Sequence, residues 1–146
     1  MSCKNLTKLN YNNYLNKELV PVHSLKSVIS QIINCKKGES VGYNRSFICK
    51  NDMMVGVIPI GHADGISRLF SKNAHVFIGD KKAEVLGNIC MDVLMINLNG
   101  VNCDEGDEVV VFDSKNNAED FAKSVGTISY EILTNLSRRI ERKIIR

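Results

Sequence analysis

Tryptophan is absent from the 146 residues, and proline occurs only twice, at Pro21 and Pro59. Aromatics amount to four Tyr and five Phe, with no basic–aromatic stripe. That speaks against a surface on which nucleic-acid bases stack. The formal net charge is only +3, too mild to argue for a polyanionic partner. No apolar run approaches the roughly 20 residues a membrane span needs. The leading MSCKNLTKLNYNNYLNKEL has no apolar h-region, so a secretory signal is not expected. Cys3, Cys35, Cys49, Cys90 and Cys103 are odd in number and contain no CxxC. Neither a disulfide framework nor a zinc site has that form, and the cysteines read as reduced thiols of a cytoplasmic protein. His23, His62 and His75 lie too far apart to suggest a metal centre. There is no P-loop, no GxGxxG and no Ser-His-Asp set.

What is present is an ordinary globular composition, 44% hydrophobic and 24% charged, with length enough for one domain and a core. Residues 1–20 read as a poorly structured lead-in or linker, and residues 21–146 as the folded domain. VHSLKSVISQI alternates as a strand, with a helix left open. MVGVIPIG is a β-branched run that Pro59 must end or push to an edge. HVFIGDKKAEVLG predicts a hairpin turning at Gly79-Asp80. CMDVLMINL and DEVVVF add two strands.

Only the last third has helical periodicity. In NAEDFAKSVG, Ala118, Phe121, Ala122 and Val125 share one face, Asn117 is placed to cap, and Gly126 to stop the helix. A second helix is expected from a Ser129 cap, with Ile132, Leu133, Leu136 and Ile140 on one side. The fold class is therefore mainly β, a small β-barrel or sandwich-like domain with two short C-terminal helices. The basic run SRRIERKIIR at the end reads as a solvated helix end or tail.

Three glycine-flanked polar clusters interrupt the strands: GYNRSF, IGHADGISR and NICMDV. Each falls at a strand end, where binding residues gather on a rigid scaffold. Taken singly they decide nothing. Tyr43 fits a packed strand-end tyrosine, Met91 a core methionine, Tyr130 a surface residue of a helix, and the His62/Asp64 pair a turn.

Taken in order, VGYNRSF, IPIGHADGISR, VLGNICMDVLMINL, GDEVVVF and GTISYEILTNLSRRIERK resemble the C-terminal domain of bacterial alanine racemase. The resemblance runs from about Pro21 to Lys143. It implies a fold-type III, pyridoxal-phosphate-dependent isomerase that interconverts L- and D-alanine for peptidoglycan synthesis. Tyr43 then matches the base on the L-alanine side. Phenols ionise near pH 10, so such a base needs neighbours that lower that value. Met91 matches the methionine whose main-chain amide helps hold the substrate carboxylate. Tyr130 matches the tyrosine that contacts the cofactor phosphate, and its place at a helix start suits an anion. Asp64 and Asp92 would line the substrate entrance together with His62, which stands where many family members have Tyr. Histidine hydrogen-bonds there too but titrates near neutrality, so the entrance is expected to behave differently.

The same resemblance implies a partner. The Schiff-base lysine and second base come from an N-terminal TIM-barrel domain, and no lysine here sits in the matching context. Lys36 and Lys37 flank a turn, and Lys81 and Lys82 lie in a hairpin. The chain alone is expected to be inactive. In the homodimer of the full enzyme, Tyr43 and Met91 would complete the site above the other subunit's barrel, while Tyr130 serves its own subunit's cofactor. Two alternatives stay open: a racemase for serine or another amino acid, and a stand-alone β-barrel binding module without catalysis.

Overall fold

The computed structural model describes residues 20–145; the expected lead-in lies almost wholly outside them. Nine strands form: β1 (Leu25–Val28), β2 (Gln31–Cys35), β3 (Ser40–Val41), β4 (Phe47–Ile48), β5 (Met53–Ile58), β6 (His75–Ile78), β7 (Lys81–Leu86), β8 (Leu94–Asn97) and β9 (Glu108–Phe112). Two helices follow, α1 (Ala118–Val125) and α2 (Ser129–Asn135). Seven strands make one antiparallel sheet in the order β1-β9-β6-β7-β8-β5-β2, and β3 pairs with β4 separately.

That order has a geometric consequence. The two edge strands, β1 and β2, are consecutive in sequence and separated by only Ile29 and Ser30. A flat sheet of seven strands spaced about 4.8 Å apart cannot bring its edges that close, so the sheet curls into a half-barrel. The corner residues bond to both sides. Ile29 N–H donates to the Asp107 carbonyl at 3.0 Å, and the Ile29 carbonyl accepts from Gly106 N–H at 2.8 Å. Ser30 N–H donates to the Val57 carbonyl at 2.9 Å, on the opposite edge. The single strand expected over VHSLKSVISQI is thus two strands. Its alternation passes through the corner, while its hydrogen bonds change partner there.

Burial follows the pleat. In β8, Leu94 and Ile96 point inward while Met95 and Asn97 are half-exposed, and β6 repeats the pattern with Val76 and Ile78. Pro59 follows directly on the last residue of β5, where its missing N–H breaks no ladder. The expected hairpin forms, β6 turning into β7 through Gly79 and Asp80 with Ile78 opposite Lys81. β8 starts only at Leu94, so the first four residues of CMDVLMINL are a loop.

The helices close one side of the half-barrel. Asn117 caps α1 by accepting from Glu119 and Asp120 N–H at 2.9 and 3.0 Å, and Gly126 ends it with φ +80°. Its apolar face places Phe121 edge-on to Phe70, centroids 5.6 Å apart, and beside Phe112 at 6.2 Å. For α2 the cap is Ile128, not Ser129, and its side chain makes no cap bond. The link from Gly126 is too short to place Ser129 outside the helix: Thr127 N–H still bonds back to the Ala122 carbonyl. α2 ends at Asn135, and Ile140 packs on the core from beyond it.

Each fully buried Ile or Leu, such as Ile58, Leu94 or Ile96, contributes about 1.5–3 kcal/mol. An exposed pair such as Lys26–Glu108 contributes at most about 1 kcal/mol, so the core holds the barrel. A second apolar cluster, Cys35, Val41, Cys49, Val55 and Leu86, lies under the β3–β4 hairpin. Burial, and then the neighbouring Cys49, push the Cys35 thiol up. All four cysteines among the described residues are free.

On β6, His75 stacks edge-on against Phe77 at 5.3 Å. Desolvation, followed by the charge of Lys82, lowers its pKa, although Glu84 stands opposite it in the ladder. A lowered folded-state pKa means the unfolded chain binds more protons below the ordinary value near 6.5. The stability His75 contributes is therefore present above that pH and lost as pH falls through the folded value. Urea midpoints should drop between pH 7.5 and pH 5.5, and His75→Gln should flatten that slope; an unchanged slope contradicts the assignment.

Candidate functional site

Tyr43 projects from the loop between β3 and β4. The chain there makes a short 3-10 turn, Tyr43–Arg45, in which Asn44 and Arg45 both have positive φ, 61° and 51°. Two successive non-glycine residues in the left-handed region cost of order 1–3 kcal/mol each and persist only where surroundings enforce them. The enforcing surroundings are the loop after β7. Ser46 Oγ accepts from Asn88 N–H at 2.7 Å, and the Tyr43 carbonyl accepts from Asn88 Nδ2 at 3.3 Å. Gly87 makes that approach feasible. With φ +64°, a Cβ there would sit 2.8 Å from the Val41 carbonyl oxygen and 2.9 Å from Ser46 Oγ. The Tyr43 ring is left 68% exposed.

Met91 lies three residues beyond Asn88, in the loop Cys90–Val93 that precedes β8. Cys90 N–H bonds to the Val93 carbonyl at 2.9 Å, closing this loop. The segment after β5 then lies alongside it: His62 N–H donates to the Cys90 carbonyl at 2.9 Å, and Ala63 N–H to the Met91 carbonyl at 2.8 Å. Gly61 is the contact point. A Cβ on it would fall 2.6 Å from the Met91 oxygen and 2.7 Å from the Cys90 oxygen, so no side chain fits. Met91 is 60% exposed, and its own N–H donates to no group among the described residues.

His62 and Asp64 form the ends of a second 3-10 turn, His62–Asp64. They do not pair with each other. His62 is exposed, whereas Asp64 is buried at 5% exposure. Asp64 accepts from Gly61 N–H at 2.8 Å with one oxygen and meets Arg139 Nε at 2.8 Å with the other. The same guanidinium reaches Asp92 Oδ1 at 2.6 Å through Nη2. Arg139 therefore joins the loop after β5 to the Met91 loop. The Asp92 hydrogen bond, with the two carboxylate charges behind it, outweighs desolvation and holds the guanidinium still more firmly protonated. In the basic run this residue departs from the expected solvated tail, because a buried carboxylate faces it. Ser137 N–H adds a main-chain bond to the Asp64 carbonyl at 3.1 Å.

Tyr130 occupies the first turn of α2, 72% exposed. Its carbonyl accepts from Thr134 Oγ1 at 2.8 Å, and its hydroxyl bonds no group among the described residues. The structure thus gathers Tyr43, His62, Asp64, Met91 and Asp92 into one set of interlocked loops, while Tyr130 stands apart on a helix. Three supports were not picked out in the sequence: Arg139, Asn88 and the room at Gly61 and Gly87. All four residues lie inside the five motifs, but their supporting roles depend on contacts that the sequence does not show.

Tyr130 offers an unpaired phenol donor, and the five described lysines in ion pairs, Lys26, Lys36, Lys115, Lys123 and Lys143, pair with Glu108, Asp52, Asp80, Glu119 and Glu141. None of those partners is a candidate residue. No described group of His, Cys, Asp and Glu side chains has the form of a metal site, and no helix among the described residues is long and apolar enough to cross a membrane.

Comparison with known proteins gives the family. The family described as "Alanine racemase, C-terminal domain" matches residues 22–144. The alanine racemase of Helicobacter pylori strain G27 is 40% identical over 128 residues, 85% of this chain and 34% of its own. "Alanine racemase 1" of Clostridium acetobutylicum is 38% identical over 133 residues, 88% and 34% of the two chains. Among solved structures, the alanine racemase of Clostridium difficile 630 in complex with cycloserine superposes with a TM-score of 0.78 at 37% identity, covering 84% of this chain and 33% of that one. The Acinetobacter baumannii enzyme gives 0.79 at 30% identity, covering 86% and 35%. The chain spans about a third of the length of these relatives. With the family match, the relatives and the shared fold in agreement, the chain belongs to the alanine racemase C-terminal domain family.

Proposed function

We propose that this chain is the C-terminal part of a two-domain, pyridoxal-phosphate-dependent alanine racemase and supplies one of its two bases. The observation that carries the reading is the pairing of an exposed phenol, Tyr43, with an unpaired main-chain donor, Met91 N–H, on adjoining loops, the first held through Asn88 and Gly87 and the second against Gly61 and Ala63. A small amino acid needs little more from this side of a site. One donor holds the carboxylate, and one proton acceptor faces the α-carbon.

Pyridoxal phosphate, when bound, supplies the electron-accepting ring that makes the α-proton removable. Inversion at a carbon requires a proton acceptor on each face, and the phenol oxygen of Tyr43 serves the L-alanine face. The strained turn at Asn44 and Arg45 fixes the backbone from which the Tyr43 side chain projects. The Met91 amide holds the substrate carboxylate, equally in the ground and transition states. The Tyr130 hydroxyl donates to the cofactor phosphate. His62 and Asp92, both exposed, border the route by which substrate arrives, with the buried Asp64 behind them.

The other base, the cofactor lysine and the floor of the site belong to an N-terminal barrel domain, in keeping with relatives three times as long. Tyr43 and Met91 face the partner subunit's barrel in a homodimer, and the exposed apolar groups at this end, Tyr43, Ile48 and Met91, are covered there. The product is D-alanine for peptidoglycan, made in the cytoplasm.

In the complete enzyme, Tyr43→Phe should lower turnover from L-alanine by roughly 10²–10⁴-fold with circular dichroism unchanged. Turnover within threefold of wild type would exclude Tyr43 as the base. Met91→Ala, which keeps the amide, should leave KM for alanine within a few-fold. Met91→Pro, which removes it, should raise KM by about tenfold or more. Equal KM values in the two variants would rule out the main-chain role.

A further inference from the structure

We infer that Arg139 is a positioning residue for substrate binding, acting through Asp92 on the main-chain donor of Met91. The inference rests on the racemase reading above but concerns a residue that never reaches the reacting atoms. Arg139 comes from the segment after α2, outside every loop that carries a candidate chemical group. Its guanidinium nevertheless spans two of those loops, Nε to Asp64 at 2.8 Å and Nη2 to Asp92 at 2.6 Å.

The two carboxylates are not equivalent. Asp64 is buried, and Gly61 N–H and Ser137 N–H anchor its side chain and backbone to the frame. Asp92 is exposed, and Arg139 is its only side-chain partner among the described residues. Asp64 therefore acts as the fixed post, Arg139 as the arm, and Asp92 as the held end.

Asp92 directly follows Met91. On that side of Met91, the bond from Ala63 N–H to the Met91 carbonyl fixes the peptide leading to Asp92. The peptide carrying Met91 N–H is fixed through Cys90, whose carbonyl accepts from His62 N–H. Both peptides of Met91 are thus bonded to the His62–Asp64 turn, and the guanidinium clasps that turn, through Asp64, to the crest at Asp92. A planar fork aimed at two carboxylates resists rotation in a way a single-point ammonium cannot. Without it, the His62–Asp64 turn and the Met91-Asp92 crest lose their common tie, the two backbone bonds between them loosen, and the Met91 N–H loses its fixed direction. The Tyr43 loop is secured separately by Asn88 and Ser46, so the base stays in place.

Separate anchoring gives a split signature. A donor that holds the carboxylate equally in ground and transition states affects KM and leaves kcat alone. In the complete enzyme, Arg139→Ala should raise KM for alanine roughly tenfold, with kcat per folded site within about threefold. Added methylguanidinium should restore KM at least in part, and Arg139→Lys should fall between the two. Because Arg139→Ala removes the partner of a buried carboxylate and is open to misfolding, Asp92→Asn is the second variant. It keeps Asp64 paired with Arg139 and should still raise KM several-fold. Wild-type KM in Asp92→Asn, or an Arg139→Ala enzyme whose activity falls only in step with its folded fraction, overturns the proposal. Absence of racemisation by the wild-type enzyme would instead defeat the reading on which it rests.

Discussion

The loop end of this domain depends on how closely Gly61 lies against the Cys90–Val93 loop. A side chain there would meet two carbonyl oxygens at under 3 Å. Its absence lets the bonds from His62 to Cys90 and from Ala63 to Met91 form. These two bonds extend main-chain pairing past the ends of β5 and β8, whose ladder already joins Ile58 to Leu94. The functional loops are thus continuations of the sheet, and their rigidity is inherited from its core. Asp64 and Asp92, held by one guanidinium, add a polar clasp across the same junction.

A comparable arrangement secures Tyr43 by different means. The β3–β4 hairpin is only two residues per strand and would not persist unaided. It sits on its own small apolar cluster and is tied from above by Asn88. Backbone strain at Asn44 and Arg45 is tolerated because both ends of the turn are fixed. The domain therefore carries two independently anchored groups, a phenol and an amide, on adjoining loops. Independent anchoring is what permits a change in substrate binding without a change in the base.

The parts legible in the sequence were those set by neighbours in the chain. The Gly79-Asp80 turn, the end of β5 at Pro59 and the Asn117 cap each depend on a few adjacent residues, and each formed as expected. The motif order identified the family, and the match over residues 22–144 agrees. What escaped was fixed at long range. The corner at Ile29-Ser30 keeps its alternation while changing hydrogen-bond partners, so periodicity does not register it. Ser129 has the right chemistry for a cap, but the short link from α1 gives that place to Ile128. Arg139 looked like one of five charges in a solvated run. Its partners lie 47 and 75 residues earlier in the chain, and only the fold brings a buried carboxylate to it.

The central claim is that the candidate loops are rigid extensions of the sheet, and amide hydrogen exchange tests it most directly. The His62 and Ala63 amides, donors to Cys90 and Met91, should exchange within about tenfold of the slow β5 amides Val55 and Val57, because both sets open only with the sheet. Exchange of His62 and Ala63 at the rate of an exposed loop, with β5 still protected, would contradict the account and leave Met91 on a loop that orders only when substrate or a partner domain binds.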